Sequence, residues 1–303
     1  MAKTPKPRYS REPINGALTN VTPYLQDGRL TPVGVRTSPV RYIRDLWARR
    51  AYIWFDSRMK VRTQNSNHRL GSLWLLAKPL LDIIFYGVLF GLVLKVTRGL
   101  DNFVAYIIIG ILMFQYMAGV INNATSVMNQ GRAMMRAFSF PRMALPVSMM
   151  VRQTIQMGPI IAVMLVAIAV LPPHAFPTLS WLMFLPAFAL NTVFLLGLAL
   201  IISRYAYVVP DLQQILSFAT RILMYGSGVI FPIQQFITHP VALTIVQYNP
   251  VYVFIDLYRT VLTQNSFGTP ESWLIAGTWA VGALLTGFFI FWRAEEVFGR
   301  ELR

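Results

Sequence analysis

No cysteine occurs in the 303 residues, which excludes disulfides, thiolate chemistry and cysteine-ligated metals. Histidine is nearly absent too: His68, His174 and His239 stand far apart, without the short spacing that lets imidazoles share a metal. There is no glycine-rich loop ending in Gly-Lys-Ser or Gly-Lys-Thr, so the usual cradle for a nucleoside triphosphate is missing. Charge is scarce, at 13% of residues, and acids number only 12. No Ser, His and Asp set or carboxylate pair presents itself for catalysis. The first thirty residues hold no apolar core of signal-peptide length, so the first apolar span is expected to direct insertion.

Apolar residues, by contrast, make up 55% of the chain, more than a water-soluble fold of this size needs to bury. From residue 73 onward they gather in runs long enough to cross a hydrocarbon layer of about 30 Å as helices. The expected spans are 73–96, 103–121, 145–171, 182–202, 212–231 and 273–292. The fold expected is an all-α integral membrane protein with six transmembrane helices. Basic residues, 27 against 12 acids, concentrate ahead of the spans: residues 1–70 hold 14 Lys and Arg beside Glu12, Asp27, Asp45 and Asp56. That bias places the N-terminus in the cytoplasm. The positive charge abuts a bilayer with anionic headgroups, so membrane lipid rather than nucleic acid is its expected partner.

Residues 1–40 carry Pro5, Pro7, Pro13, Pro23, Pro32 and Pro39 with few large apolar groups, and read as a flexible cytoplasmic tail. Residues 41–72 follow as an amphipathic interface helix and linker. Over 41–58, Tyr42, Ile43, Leu46, Trp47, Ile53 and Trp54 share one arc, opposite Arg41, Arg44, Asp45, Arg49 and Asp56. A helix of this kind lies flat in the headgroup region. Arg50 alone breaks the pattern, falling within the apolar arc. Further on, 122–144 contains Arg132, Arg136 and Arg142 without an acid, whereas 172–180 carries no charge, an alternation that agrees with a cytoplasmic start. In the first span Lys78 lies one turn before Asp82 and is expected to pair with it.

The segment 239–265 is apolar enough to span but is broken at Asn249-Pro250 and holds Asp256 and Arg259. Proline removes a helical hydrogen bond and disfavours helix before it, so two half-helices dipping in and out on the outer side are expected in place of a seventh span. Six spans then return the tail 293–303 to the cytoplasm. With both termini there, the chain is expected to be a multi-pass protein of the inner (plasma) membrane.

Three stretches carry a family resemblance. Phe140-Pro141-Arg142-Met143-Ala144-Leu145-Pro146, after the basic helix with Arg132 and Arg136, resembles the segment before the third span of type-2 ABC permeases that export polysaccharides. Asn249-Pro250 with Tyr258-Arg259 resembles their outer re-entrant segment. Leu70-Gly71-Ser72-Leu73-Trp74, leading to Lys78-Pro79-Leu80, resembles their approach to the first span. Within that family the chain is most similar to the actinobacterial exporters of lipid-linked cell-wall galactan.

The resemblance implies a permease without covalent chemistry, working as a homodimer with two separate ATPase subunits that hold ATP and magnesium. It implies that Arg132, Arg136, Phe140, Pro141 and Arg142 couple to the ATPase, with topogenic charge alone as the plainer account. The substrate implied is a polyprenyl-diphosphate-linked glycan. Trp47, Arg49, Arg50 and Trp54 would meet either its diphosphate or ordinary lipid phosphate. A hydrated route for sugars needs aromatic faces beside polar groups. Tyr86, Phe90, Tyr106, Phe114, Gln115, Tyr116, Asn122, Arg221 and Tyr225 are the lining residues expected, although membrane aromatics also face lipid or neighbouring helices. Asn249, Pro250 and Arg259 would form the outer gate. Export of teichoic acid or another amphiphile stays open. An integral membrane glycosyltransferase would need clustered carboxylates, and Asp45, Asp56, Asp82, Asp101, Asp211, Asp256 and Glu271 form no pair in sequence.

Overall fold

The computed structural model describes residues 38–63, 73–86, 88–89, 102–137, 140–172, 174–233 and 239–295. Most of the N-terminal tail, the Leu70-Gly71-Ser72 stretch, Phe90, most of 87–101 and residues 296–303 lie outside them. The described chain is built from helices α1 (Pro39–Ala48), α2 (Arg50–Thr63), α3 (Trp74–Tyr86), α4 (Phe103–Gln130), α5 (Arg132–Ala137) and α6 (Ala144–Val170). A 3-10 turn, Leu179–Met183, leads into α7 (Phe184–Val208), followed by α8 (Leu212–Gly226), α9 (Pro240–Gln247), α10 (Pro250–Thr263) and α11 (Pro270–Arg293).

Four of these are long and apolar enough to cross a membrane: α4, α6, α7 with its leading turn, and α11. The other two expected spans are shorter as described. Helix α3 has 13 residues before the undescribed stretch, and α8 stops after 15, about 22 Å at 1.5 Å per residue. A turn ends α8, with Gly228 at φ 65°, a conformation that glycine adopts without steric cost. The segment 241–262 divides as its Asn-Pro pair predicts. Pro250 opens α10, and the Asn249 side chain caps it by accepting the Val251 N–H at 2.9 Å. Neither half has the roughly 20 residues a crossing requires.

The amphipathic segment departs from the single helix expected over 41–58. At Arg49 the backbone turns to φ −90°, ψ 9°, and its N–H closes on the Leu46 carbonyl at 3.1 Å, separating α1 from α2. The apolar arc is thereby divided. Tyr42 and Ile53 are buried against the protein, whereas Ile43, Trp47, Trp54 and Phe55 stay exposed. Large exposed apolar side chains beside a bundle of spans suit the interfacial zone of a bilayer.

Helix α4 is the axis of the bundle, buried over most of its length by α6, α7, α8 and α10. Helices α7 and α11 form the most extensive pair. They touch backbone to backbone: a Cβ on Gly287 would collide with the Gly197 carbonyl, and one on Gly197 with the Ala283 carbonyl. In lipid, where apolar burial gives little drive between helices, such close approach is what lets dispersion forces hold two spans together.

Candidate functional site

Two polar constellations interrupt this apolar bundle. The first ties the basic loop to both ends of the described chain. Arg142, after the loop and before α6, is only 8% exposed. Its Nη1 donates to the Glu295 carbonyl oxygen at 2.6 Å and lies 3.8 Å from the carboxylate, while its backbone N–H donates to Glu295 Oε1 at 3.2 Å. From α1, the Tyr42 hydroxyl donates to Glu295 Oε2 at 2.8 Å and accepts the Met143 N–H at 3.2 Å. Burial pushes the Glu295 carboxyl above its ordinary range, opposed by the Tyr42 and Arg142 bonds that favour its charged form. Burial likewise drives the Tyr42 phenol well above its usual value, with the adjacent Glu295 adding to the shift.

This cluster sets the placement of the residues expected to couple to an ATPase. Arg132 and Arg136 are exposed on α5, with Arg132 5.3 Å from the centre of the Tyr207 ring. Phe140 is half-buried against the core and Pro141 is partly covered. Arg142, however, is turned inward. Gly131 fixes the start of α5, because a Cβ there would collide with the Leu145 side chain. On the other side, the Tyr52 hydroxyl of α2 lies 3.1 Å from the Met134 sulfur. The two exposed cations, Arg132 and Arg136, thus project from a short helix anchored at both ends.

The second constellation holds α10. Arg259 is 3% exposed, and its guanidinium binds three backbone carbonyls: Tyr106 through Nε and Nη2 at 3.2 and 3.1 Å, Gly228 through Nη1 at 2.8 Å, and Val229 through Nη2 at 2.7 Å. Its Cζ sits 3.3 Å from the centre of the Tyr106 ring, and the Tyr106 hydroxyl donates to the Gly228 carbonyl at 3.0 Å. Gly110 leaves room for this, since a Cβ there would strike both the guanidinium and the Val229 carbonyl. Asn249 adds a link from its Nδ2 to Ser227 Oγ at 3.1 Å, and Asn191 donates to the Tyr258 hydroxyl at 3.0 Å. The expected outer-gate residues Asn249, Pro250 and Arg259 therefore come together, as a clamp between α10, α4 and the turn after α8.

The expected channel residues divide into two groups. Tyr106, Phe114 and Tyr116 point into the bundle, and the Tyr116 hydroxyl lies 3.3 and 3.2 Å from the Thr154 and Thr192 hydroxyls. Asn122 accepts from Ser217 at 3.0 Å, joining α4 to α8. Tyr86 is half-buried and Phe90 lies outside the described residues. Gln115, Arg221 and Tyr225 are exposed. Arg221 and Tyr225 share a face of α8 with Ile215, Phe218 and Ile222, each more than half exposed, a surface left open for lipid or another protein. Gln115 donates to Asp82 at 3.1 Å, taking the place expected of Lys78, which has no ion pair among the described residues. A neutral amide from the neighbouring helix reaches the carboxylate where the ammonium, one turn away on the same helix, turns elsewhere.

On the surface helices, Trp47, Arg49, Arg50 and Trp54 are all exposed. Arg50, the first residue of α2, folds back on the end of α1, Nη1 donating to the Trp47 carbonyl at 3.3 Å with Cζ 5.6 Å from the indole centre. Sequence reasoning passed over Tyr42 and Glu295. Only the lone buried-facing tyrosine in α1 and an acid soon after the last span hinted at them.

A break at Asn-Pro, a basic loop helix before the third long apolar run and a bundle axis with little polar surface agree with what the wider comparison finds. Residues 58–263 match the ABC-2 type transporter family. The chain belongs to that family. Among its relatives is the O-antigen export system permease protein RfbA of Klebsiella pneumoniae, 27% identical over 248 residues, covering 80% of this chain and 91% of that protein. A second protein of the same name and organism is 26% identical over 203 residues, 66% of this chain and 75% of its own length. Membership of that family makes the chain a membrane transport subunit and implies an ABC ATPase as its partner. In this ABC-2 permease the exposed basic helix α5 and its buried Tyr42–Arg142–Glu295 anchor stand out as the surface-to-core connection.

Proposed function

We propose that this ABC-2 permease is the transmembrane half of an ATP-driven exporter that moves a polyprenyl-diphosphate-linked glycan outward from the cytoplasm. The glycan is a cell-wall galactan or an O-antigen-like chain. Two copies of the permease pair with two ATPase subunits, and the glycan passes between the copies along surfaces that include the open face of α8, with Arg221 and Tyr225. The full architecture has six spans, completed by α3 and α8 with their flanking residues, and α9 and α10 re-enter on the outer side. Both termini are cytoplasmic.

The observation that carries this reading is the α5 anchor. Arg132 and Arg136 face outward, where a partner can engage them, and the loop behind them is pinned through Arg142 to α1, the start of α6 and the end of α11. Displacing α5 therefore displaces the surface helix and two spans together, because a buried ion pair resists separation of its members. Phe140 supplies an apolar contact beside them. At the membrane face, Arg49 and Arg50 between Trp47 and Trp54 attract the diphosphate to the headgroup layer. Further out, the Arg259 clamp makes α10 and α4 one body, the fixed wall of an outer gate.

The test is transport in proteoliposomes with the cognate ATPase. Arg132→Glu with Arg136→Glu should abolish ATPase capture and transport while the permease still folds. Transport that persists in the double variant, or in wild type without any ATPase, would sink the mechanism. Galactan, O-antigen and teichoic acid precursors offered in turn identify the cargo.

A further inference from the structure

A groove of about 280 Å³ runs between α2, α6 and α7. Trp54 of α2 forms one wall, Val147, Val151 and Ile155 of α6 a second, and Leu196 of α7 a third. Trp54 is more than half exposed and the aliphatic side chains are half-buried, so the groove opens at the protein surface. It follows α6 from Val147 to Ile155, about 12 Å at 1.5 Å per residue. The hydroxyls in its lining are already satisfied: Thr154 donates to the Met150 carbonyl at 3.0 Å and Thr192 to the Phe188 carbonyl at 2.8 Å. Apart from the Trp54 indole nitrogen, the remaining side-chain surface is hydrocarbon and thioether.

We infer that this groove holds one acyl tail of an anionic phospholipid from the surrounding leaflet, a structural lipid and not cargo. Water finds almost no polar partner in such a lining, whereas an apolar cavity of about 150 Å³ is already large enough to bind benzene. In a bilayer the hydrocarbon at hand is a lipid tail. Val147 stands three residues from Ala144 at the start of α6, so the groove leads from the level of the basic loop into the leaflet. The headgroup end carries matching charge. Arg58 and Arg62 follow Trp54 on α2 at one and two helical turns, all three exposed, and residues four apart on a helix are neighbours. Neither arginine has an ion pair among the described residues, while Lys60 is held by Asp56 at 2.9 Å. A phosphate beside them accepts charge-assisted hydrogen bonds as its tail enters the groove. The tail also supplies a contact that the helices lack: α2 packs on α6 and α6 on α7, but α2 and α7 share no extensive contact among the described residues. Dispersion against all three walls joins them. The groove is separate from the open face of α8, because α6 and α8 each pack against α4 and not extensively against each other.

The inference needs only a bilayer around the protein, so it stands or falls separately from the exporter reading. The full chain in detergent is titrated with phosphatidylglycerol, phosphatidylcholine or a polyprenyl phosphate, with bound lipid counted by native mass spectrometry and melting followed in parallel. Phosphatidylglycerol should bind about tenfold more tightly than phosphatidylcholine, the gain expected of a charge-assisted contact, and should raise the melting temperature. Val151→Phe with Leu196→Phe fills the groove. That variant should melt no lower than wild type without lipid and should lose the bound phosphatidylglycerol. Arg58→Gln with Arg62→Gln should weaken phosphatidylglycerol about tenfold, to the level of phosphatidylcholine. A filled variant that folds and still binds phosphatidylglycerol as wild type does overturns the site. The arginine double variant alters no packing and decides the matter should the filled one misfold: unchanged phosphatidylglycerol binding there overturns the site as well. Phosphatidylcholine bound as tightly by wild type, or polyprenyl phosphate displacing phosphatidylglycerol, overturns the assignment to an anionic structural lipid.

Discussion

Replacing Arg259 by leucine removes the charged clamp that ties α10 to α4 and to the turn after α8. The guanidinium supplies four hydrogen bonds to the carbonyls of Tyr106, Gly228 and Val229, at 2.7–3.2 Å, from a side chain that is 3% exposed. Each carbonyl left unanswered away from water costs about 1–3 kcal/mol. The desolvation cost of the buried cation is relieved at the same time, which lowers the net figure. The balance expected is a loss of about 3–5 kcal/mol, since breaking a buried charged network by removing one member falls in that range. For a chain of this size that corresponds to a melting temperature lower by roughly 10 °C. Arg259→Lys keeps the charge but not the planar fork that spans three acceptors, so it should recover less than half of the loss. The assay is thermal unfolding in detergent, followed by intrinsic tryptophan fluorescence and by retention of the monodisperse peak after heating. An Arg259→Leu chain that melts with wild type would refute the clamp, and would show that the cost of burying the charge cancels everything its bonds return.

Gly110→Ala should destabilise through the same clamp, by about 1–3 kcal/mol, because the added methyl meets the guanidinium and the Val229 carbonyl; unchanged melting would mean that the close approach is not real. Gly287→Leu should prevent α7 and α11 from closing and abolish folded protein in size-exclusion profiles, so a stable variant would remove the argument for backbone contact there. Tyr42→Phe removes the bond to Glu295 and leaves the Met143 N–H unmet, for a loss of about 1–3 kcal/mol measured by the same melts. Glu295 also makes stability depend on pH. Its native carboxyl titrates above the unfolded value of about 4.3, so its favourable contribution is complete below that pH and is lost as pH rises through the native value. Wild type should therefore lose stability relative to Glu295→Gln as pH climbs from about 4.3 toward neutrality, and parallel melting curves for the two would contradict the burial of that carboxyl.

Some features follow from the chain read locally. Residence in a membrane depends on runs of apolar residues, and those runs need no knowledge of what packs beside them. The break before α10 is equally local, because Pro250 lacks the N–H that would continue a helix and Asn249 caps the next one. Exposure of Arg132 and Arg136 on a basic helix also agrees with the charge pattern.

The fate of the remaining charged residues was decided by partners remote in sequence. Arg142 reads as one more loop cation until Glu295, 153 residues later, takes its guanidinium inward. Arg259 reads as a gate charge until the turn after α8 brings the carbonyls of Gly228 and Val229 to it. Lys78 and Asp82, one turn apart on α3, do not pair, because Gln115 on α4 reaches the acid first. Helical periodicity fixes the angle at which a side chain leaves its own helix. It does not fix which helix stands opposite. The sequence alone thus determined that this protein lives in a bilayer, where its helices break and which loop is basic. Only the tertiary structure decided which cations, Arg142 and Arg259, are spent inside the bundle and which, Arg132, Arg136 and Arg221 among them, stay exposed.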